Sequence, residues 1–281
     1  MLNEEYEARD AAPKKVGTIM TMFSTASAVG KTLVACNLAA ALAKNGLDVC
    51  LVDLDLQFGD VCNYLHIKPT FTVADTQQAL NAQGTNFNIE DYLEKFFHSG
   101  VEFNVLAAPL KLEESYNLQV PGIISVLTKL QASYDYVIVD TTSMFSVLNL
   151  DVLDISTIVL FMGIVDFIPT IKNMKIGNDT LRGLNYDHNK IRMILNRSDA
   201  ETRISMSDVQ KLLGSEFDFI LPNDFRAAST SIKTGVPVIL EDDSSKLGKA
   251  IRSMVNRYTS TDAYQEEESS SKGGWLSRFF G

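Results

Sequence analysis

An apolar run, Val16 to Phe23 (VGTIMTMF), passes through the loop Ser24 to Gly30 (STASAVG) into a small-residue helical run, Leu33 to Lys44 (LVACNLAAALAK). Strand, loop and helix start, in that order, are what a phosphate-binding loop requires. The loop's backbone N–H groups and the open N-terminus of the helix can then face an anion. The junction reads Gly30-Lys31-Thr32. On this reading Ser27, Ala28, Val29, Gly30, Lys31, Thr32 and Leu33 surround phosphates, and Lys31 reaches the outer ones. The Thr32 hydroxyl helps hold Mg²⁺. Gly-Lys-Thr alone occurs often by chance, and the flanking pattern gives it weight. Ala26, Ser27 and Ala28 carry Cβ groups, which restrict positive φ without forbidding a phosphate nest.

Two further segments end apolar runs in carboxylates. Val52 to Asp60 reads VDLDLQFGD, with Asp53 and Asp55 flanking one residue. In extended backbone both side chains point the same way. Asp55 can then orient an attacking water or accept its proton, and Asp53 can tune Lys31 or a metal's water shell. The plainer reading is a solvated strand end with turn-forming aspartates. Tyr134 to Thr142 reads YDYVIVDTT. Its Asp140 is placed to bind Mg²⁺ through water, because Mg²⁺ gives up its waters reluctantly.

The rest of the chain repeats the alternation. The pattern predicts strands at Gly17–Phe23, Asp48–Asp53, Phe103–Ala107, Tyr136–Asp140, Thr157–Met162, Ile191–Asn196 and Asp218–Leu221. It predicts helices at Lys31–Lys44, Ile89–His98, Pro121–Ser133, Ile168–Leu184, Ser205–Leu213, Phe225–Thr234 and Ser245–Tyr258. Near-continuous apolar strands alternating with helices imply an α/β fold, a mostly parallel central sheet with helices on both faces. Ligands in such sheets bind at the carboxyl ends of the strands, where the Lys31 loop, Asp53, Asp55 and Asp140 fall.

The chain has 281 residues with 46% hydrophobic content, enough for a substantial core, and a net charge of −10. That charge argues against a general nucleic-acid-coating surface, which needs a basic face. Cys36, Cys50 and Cys62 fit no zinc spacing, and Cys36 and Cys50, in apolar helix and strand runs, read as small buried groups in a reducing cytosol. His66, His98 and His188 are scattered, and none is assigned a metal. Met1 to Lys15 is charged, lacks the apolar core of a signal peptide and reads as disordered. The apolar stretch Thr157 to Ile164 is too short to span a bilayer, so a cytoplasmic protein is expected.

Together these segments resemble the MinD/ParA family of P-loop ATPases over about Lys15 to Tyr258. In that family the loop typically reads KGGVGKT, and the signature lysine falls here on Ala26. The family uses that lysine to reach a dimer partner's phosphates, so the departure bears on dimer-coupled hydrolysis while leaving nucleotide binding in place. The resemblance implies ATP and Mg²⁺ as ligands, catalytic roles for Lys31 and Asp55, and metal roles for Thr32, Asp53 and Asp140. The segment RMILNR ending at Asn196-Arg197, and Leu221-Pro222-Asn223-Asp224 followed by TGVPV at 234–238, resemble the family's base-contacting segments. They imply that Asn196, Arg197, Pro222 and Asp224 line an adenine pocket. Taken alone, Pro222 reads as an ordinary turn and Asn196 as a strand cap. LDLQFGD (54–60), NVLAAPLKLEE (104–114) and ISMSDVQKLLG (204–214) resemble the TadZ/CpaE branch of pilus-assembly ATPases. Many members carry a receiver-like domain at the N-terminus, and none is expected from these residues. The resemblance implies a homodimer formed with ATP and a protein partner in a pilus, secretion or division machine.

After the ATPase domain (16–258) the composition turns acidic and serine-rich over 259–272 and reads as a flexible linker. The last segment, 273–281, closes with Trp275-Leu276-Ser277-Arg278-Phe279-Phe280-Gly281. At about 100° per residue, Trp275, Leu276, Phe279 and Phe280 share one arc opposite Ser277 and Arg278, the form of an interfacial membrane anchor. It resembles the membrane-targeting tail of MinD and implies attachment to the inner face of the cytoplasmic membrane. A tail docked on its own domain or on a partner protein is the alternative.

Overall fold

The computed structural model describes residues 16–165, 168–187, 189–198 and 205–259. Met1 to Lys15, His188, the linker beyond Thr259 and the Trp275–Phe280 segment lie outside the described residues.

Strand β1 (Thr18–Phe23) lies at the centre of the sheet because it is buried along nearly its whole length and pairs on both sides. It runs parallel to β5 (Tyr136–Asp140) on one side and to β6 (Ile158–Gly163) on the other. With β2 (Val49–Asp53), β3 (Glu94–His98), β4 (Val101–Leu106), β7 (Ile191–Leu195) and β8 (Phe219–Ile220), these make an eight-stranded sheet in the order β3-β4-β2-β5-β1-β6-β7-β8. All ladders are parallel except β3 with β4. Among the described residues the helices are α1 (Lys31–Lys44), α2 (Val61–Tyr64), α3 (Val73–Gln83), α4 (Leu112–Tyr116), α5 (Val120–Gln131) and α6 (Val147–Ile155). They continue with α7 (Ile168–Gly183), α8 (Met206–Leu213), α9 (Phe225–Thr234), α10 (Val238–Glu241) and α11 (Lys246–Thr259).

Alternation of side chains along each strand builds a core on each face. Met20, Met22, Leu51 and Ile138 pack with Leu38 and Leu42 of α1 and Ile251 of α11. Ile19, Val52, Val137 and Val139 pack on the opposite face with Leu127 and Leu130 of α5. The alanine-rich face of α1 allows close approach to the sheet, and Ala35, Ala39 and Ala40 are fully buried. Cys36 and Cys50 are buried free thiols and Cys62 is half-buried, so all three act as packing groups.

One predicted element is overturned. The segment 89–98 is not a helix: a short 3₁₀ turn, Ile89–Tyr92, is followed by β3. Ser99 and Gly100 both take positive φ, 49° and 82°. That is the backbone of a two-residue hairpin turn, whose twist matches the flanking strands. The turn folds β3 onto β4, and Phe96 stacks on Phe103 with centroids 4.8 Å apart. A cross-strand aromatic pair outweighs the modest helix propensity of the segment.

The pattern also passes over α3, although Thr72-Val73-Ala74-Asp75 carries the signature of a helix start. Thr72 accepts from the Ala74 N–H at 3.2 Å, and Asp75 returns the bond to the Thr72 N–H at 2.8 Å. Thr72→Ala should therefore cost about 1 kcal/mol and lower the melting temperature by about 2–4 °C. Differential scanning calorimetry checks this, and an unchanged melting temperature would contradict it.

Candidate nucleotide site

The parallel register places three carboxyl ends side by side. Because β5 lies between β1 and β2, Asp140 pairs in register with Met22 on one side and Asp53 on the other. Thr32, in the first turn of α1, donates to Asp140 Oδ2 at 2.6 Å. The other oxygen, Oδ1, is buried with no hydrogen-bond partner among the described residues. Burial raises the Asp140 carboxyl to about 6, against the opposing pull of the Thr32 hydroxyl and the Lys31 charge.

The loop from Ser24 to Gly30 has the backbone of an anion nest. Ala28 and Gly30 both adopt left-handed φ, 59° and 97°, so a residue with a Cβ does adopt the required conformation at position 28. Gly30 has no such latitude, since a Cβ there would lie 2.6 Å from Asn196 Nδ2. Gly30 is the N-cap of α1, with no side-chain cap and no acid in the first turn. By contrast Thr72, Ser146, Ser205 and Asp224 cap α3, α6, α8 and α9 with side-chain oxygens. The first-turn amides of α1 therefore stay open to an anion. Ser27 and Ala28 form the exposed tip of the loop, and Val29 anchors it in the core.

Lys31 points back across the loop. Its ammonium donates to Ser143 Oγ at 2.9 Å, and burial lowers its pKa against the opposing charges of Asp140 and Asp55. Ser143 Oγ is also 2.9 Å from both Ser24 Oγ and the Ala26 carbonyl oxygen. This hydroxyl ties the end of β5 to the loop. The sequence reading misses it, although its place three residues after Asp140 is the signal that could have found it.

Strand β2 ends at Asp53, which is buried, and Asp55 lies two residues beyond the strand and is half-exposed. Asp53 accepts from the Asp55 and Val61 N–H groups, each at 3.0 Å, which commits both of its oxygens to shaping the turn after β2. Burial, with Asp140 adding to it, pushes the Asp53 carboxyl well above its ordinary value. Asp53 thus supports the turn after β2, beside Asp140 with its partnerless buried oxygen. Asp55 accepts from the Phe58 N–H at 3.2 Å and contributes its charge to the surroundings of Lys31 and Asp140.

Beside the loop opens a cleft of about 610 Å³ whose lining includes Gly30, Leu33, Asn196, Arg197, Pro222 and Asp224. The structure thus brings the residues expected around a base to the start of α1. Asn196 is 7% exposed and donates to the Val29 carbonyl at 2.8 Å, bracing the loop. Arg197 takes a left-handed φ of 54°, and its N–H donates to Asn196 Oδ1 at 3.0 Å. Asp224 caps α9 by accepting from the Ala227 N–H at 3.2 Å. A buried chain of hydroxyls and amides fixes α9 against α1. Tyr64 bonds Ser231 and accepts from Asn37, whose Oδ1 accepts from the Ile239 N–H.

These residues fit a magnesium–nucleotide complex. Magnesium asks for one or two carboxylate contacts, a hydroxyl, phosphate oxygens and several retained waters. Asp140 with its partnerless oxygen and Thr32 supply the protein share. The described residues include no cluster of three or more His, Cys, Asp or Glu able to hold a metal without such help.

Known proteins share both the sequence pattern and the fold. A family model described as the CobQ/CobB/MinD/ParA nucleotide binding domain matches residues 20–238. A chromosome partitioning protein ParA from Myxococcus xanthus is 27% identical over 252 residues, covering 82% of this chain and 84% of that one. A ParA family ATPase from Chlorobium tepidum superposes with a TM-score of 0.77 at 21% identity, over 85% of this chain and 98% of that one. The septum site-determining protein MinD of Pyrococcus horikoshii, solved with Mg-ADP, gives 0.74 at 19% identity, over 89% of this chain and 98% of that one. With the family model spanning well over half its length and the fold in agreement, this chain belongs to the CobQ/CobB/MinD/ParA nucleotide-binding family.

Proposed function

We propose that the protein is a MinD-like ATPase. It binds Mg·ATP, dimerises and attaches to the membrane, where it positions a partner machine of the pilus-assembly or secretion type. The observation that carries the nucleotide part is the convergence at one sheet edge of the open α1 N-terminus, Lys31, the Thr32–Asp140 pair and the adjoining cleft.

The loop amides and Lys31 grip the phosphates, and Thr32 and Asp140 hold the ion. Magnesium, when bound, neutralises charge on the outer phosphates. Asp55 orients the attacking water and takes its proton. Lys31 exchanges its Ser143 contact for phosphate oxygens. Ala26 leaves no lysine at the position from which the family reaches a partner's phosphates, so turnover is slow.

Membrane attachment rests on the terminal segment. Four partly buried apolar side chains contribute about 4–8 kcal/mol before ordering costs, so one tail binds weakly and reversibly. Two tails on one dimer gain roughly 10²–10⁴ in avidity, so ATP-dependent dimerisation would switch attachment. Sedimentation with anionic liposomes should show more pelleting with ATP than with ADP. The double variant Trp275→Glu with Phe279→Glu should reduce pelleting by about tenfold or more. Equal pelleting with both nucleotides excludes the switch.

A second reading is a nucleotide-locked scaffold that does not hydrolyse, favoured by Ala26. ATP turnover that disappears in Asp55→Ala eliminates it. Control of septum site or flagellar number would use the same chemistry with a different partner. DNA partition, the role in the name of the Myxococcus relative, is disfavoured here by the net charge of −10.

A further inference from the structure

The cleft beside the phosphate loop includes one ring that the fold leaves uncovered. Phe225, the first residue of α9, lines the cleft and is 78% exposed, the most exposed large apolar side chain among the described residues. Leaving an aromatic face in water forgoes the stabilisation of its burial. Its place is well defined all the same. Asp224 caps the helix immediately before it, and Ser231, two turns on, is buried in the hydrogen-bonded chain with Tyr64. Gly30 belongs to both the phosphate loop and the cleft wall. A molecule with its phosphates on the loop therefore extends its other end toward this ring.

We propose that Phe225 is the stacking face for the base and makes the cleft select purine over pyrimidine nucleotides. This inference rests on the nucleotide reading above. Any base can stack on the ring, but the larger face of a purine covers more of it. The polar groups nearby are partly spent, since Asn196 donates to Val29 and Asp224 accepts from Ala227. Stacking on Phe225 therefore carries a large share of base discrimination.

The test compares binding of Mg·ATP, Mg·CTP and Mg·tripolyphosphate to the full chain by calorimetry and competition. Phe225→Ala should weaken ATP by about tenfold and bring ATP and CTP to within about threefold of each other. Tripolyphosphate, which has no base, should change by less than about twofold. Phe225→Tyr should retain the preference. Phe225→Trp in a Trp275→Phe background leaves one indole, whose emission should be quenched more by ATP than by CTP. Unchanged ATP affinity in Phe225→Ala, or equal loss of ATP and tripolyphosphate, overturns the role of the ring. A wild-type chain that binds none of the three ligands instead overturns the nucleotide reading and this inference with it.

Discussion

Replacing Lys31 with alanine should lower Mg·ATP affinity by roughly 100-fold, about 3 kcal/mol, because it removes a charge-assisted contact to the phosphates in a partly desolvated site. The residue is placed for this. Its ammonium is carried at the start of α1, desolvated by burial, and engaged by one neutral hydroxyl, Ser143, at 2.9 Å. A neutral hydroxyl is a weak competitor for a cation that can meet triphosphate oxygens. The fold should survive the change, since the hydrophobic cores do not use this side chain. Calorimetry with saturating ATP and magnesium reads the affinity, and circular dichroism confirms the fold. A variant that binds ATP within about threefold of the wild type would remove the phosphate loop from the account.

Asp140→Asn should stabilise the ligand-free chain while abolishing its use of magnesium. Burial lifts the Asp140 carboxyl from an ordinary 3.8 to about 6. A carboxyl whose folded pKa lies above its unfolded value holds its proton more tightly in the native state. Below pH 3.8 it is protonated in both states and contributes nothing. Between 3.8 and about 6 the unfolded state ionises first, so stability falls as pH rises, and above about 6 the cost is fully present. A shift of this size corresponds to about 3 kcal/mol. Asparagine keeps an acceptor for Thr32 without the buried charge. The variant should therefore gain about 1–3 kcal/mol at pH 8, less at pH 5, and nothing near pH 3.5. Nucleotide binding should at the same time lose its magnesium dependence, because the partnerless Oδ1 no longer belongs to an anion. Thermal melts across pH in EDTA, paired with nucleotide titrations with and without magnesium, read both effects. A variant less stable than wild type at pH 8 would contradict the burial argument.

Much of the site is legible in local sequence because its parts are local. A strand, a turn of small residues and a helix without an acidic first turn make an anion site within one stretch, Thr18 to Lys44. An apolar run closed by Asp140 marks a strand tip by the same short-range logic. Segments whose fate depends on a distant partner are harder to read. The helix expected over 89–98 is a strand because Phe96 meets Phe103 across a turn at Ser99-Gly100. Asp53 and Asp55 flank one residue in the sequence, yet Asp53 is buried and accepts from two backbone N–H groups while Asp55 is half-exposed. Ser143 is marked only by its place three residues after Asp140, and its link to Lys31 spans 112 residues.

The amino-acid sequence by itself determined the alternating α/β architecture, the phosphate loop and the carboxylate-tipped strands. These follow from side-chain periodicity and turn chemistry within short windows. The tertiary structure decided which carboxylate keeps a free oxygen, which hydroxyl meets Lys31, and that Asn196 braces the loop from the end of β7. Strand order and register set those outcomes: placing β5 between β1 and β2 brings Asp140, Asp53 and Thr32 together, and burial there shifts the protonation of both carboxyls.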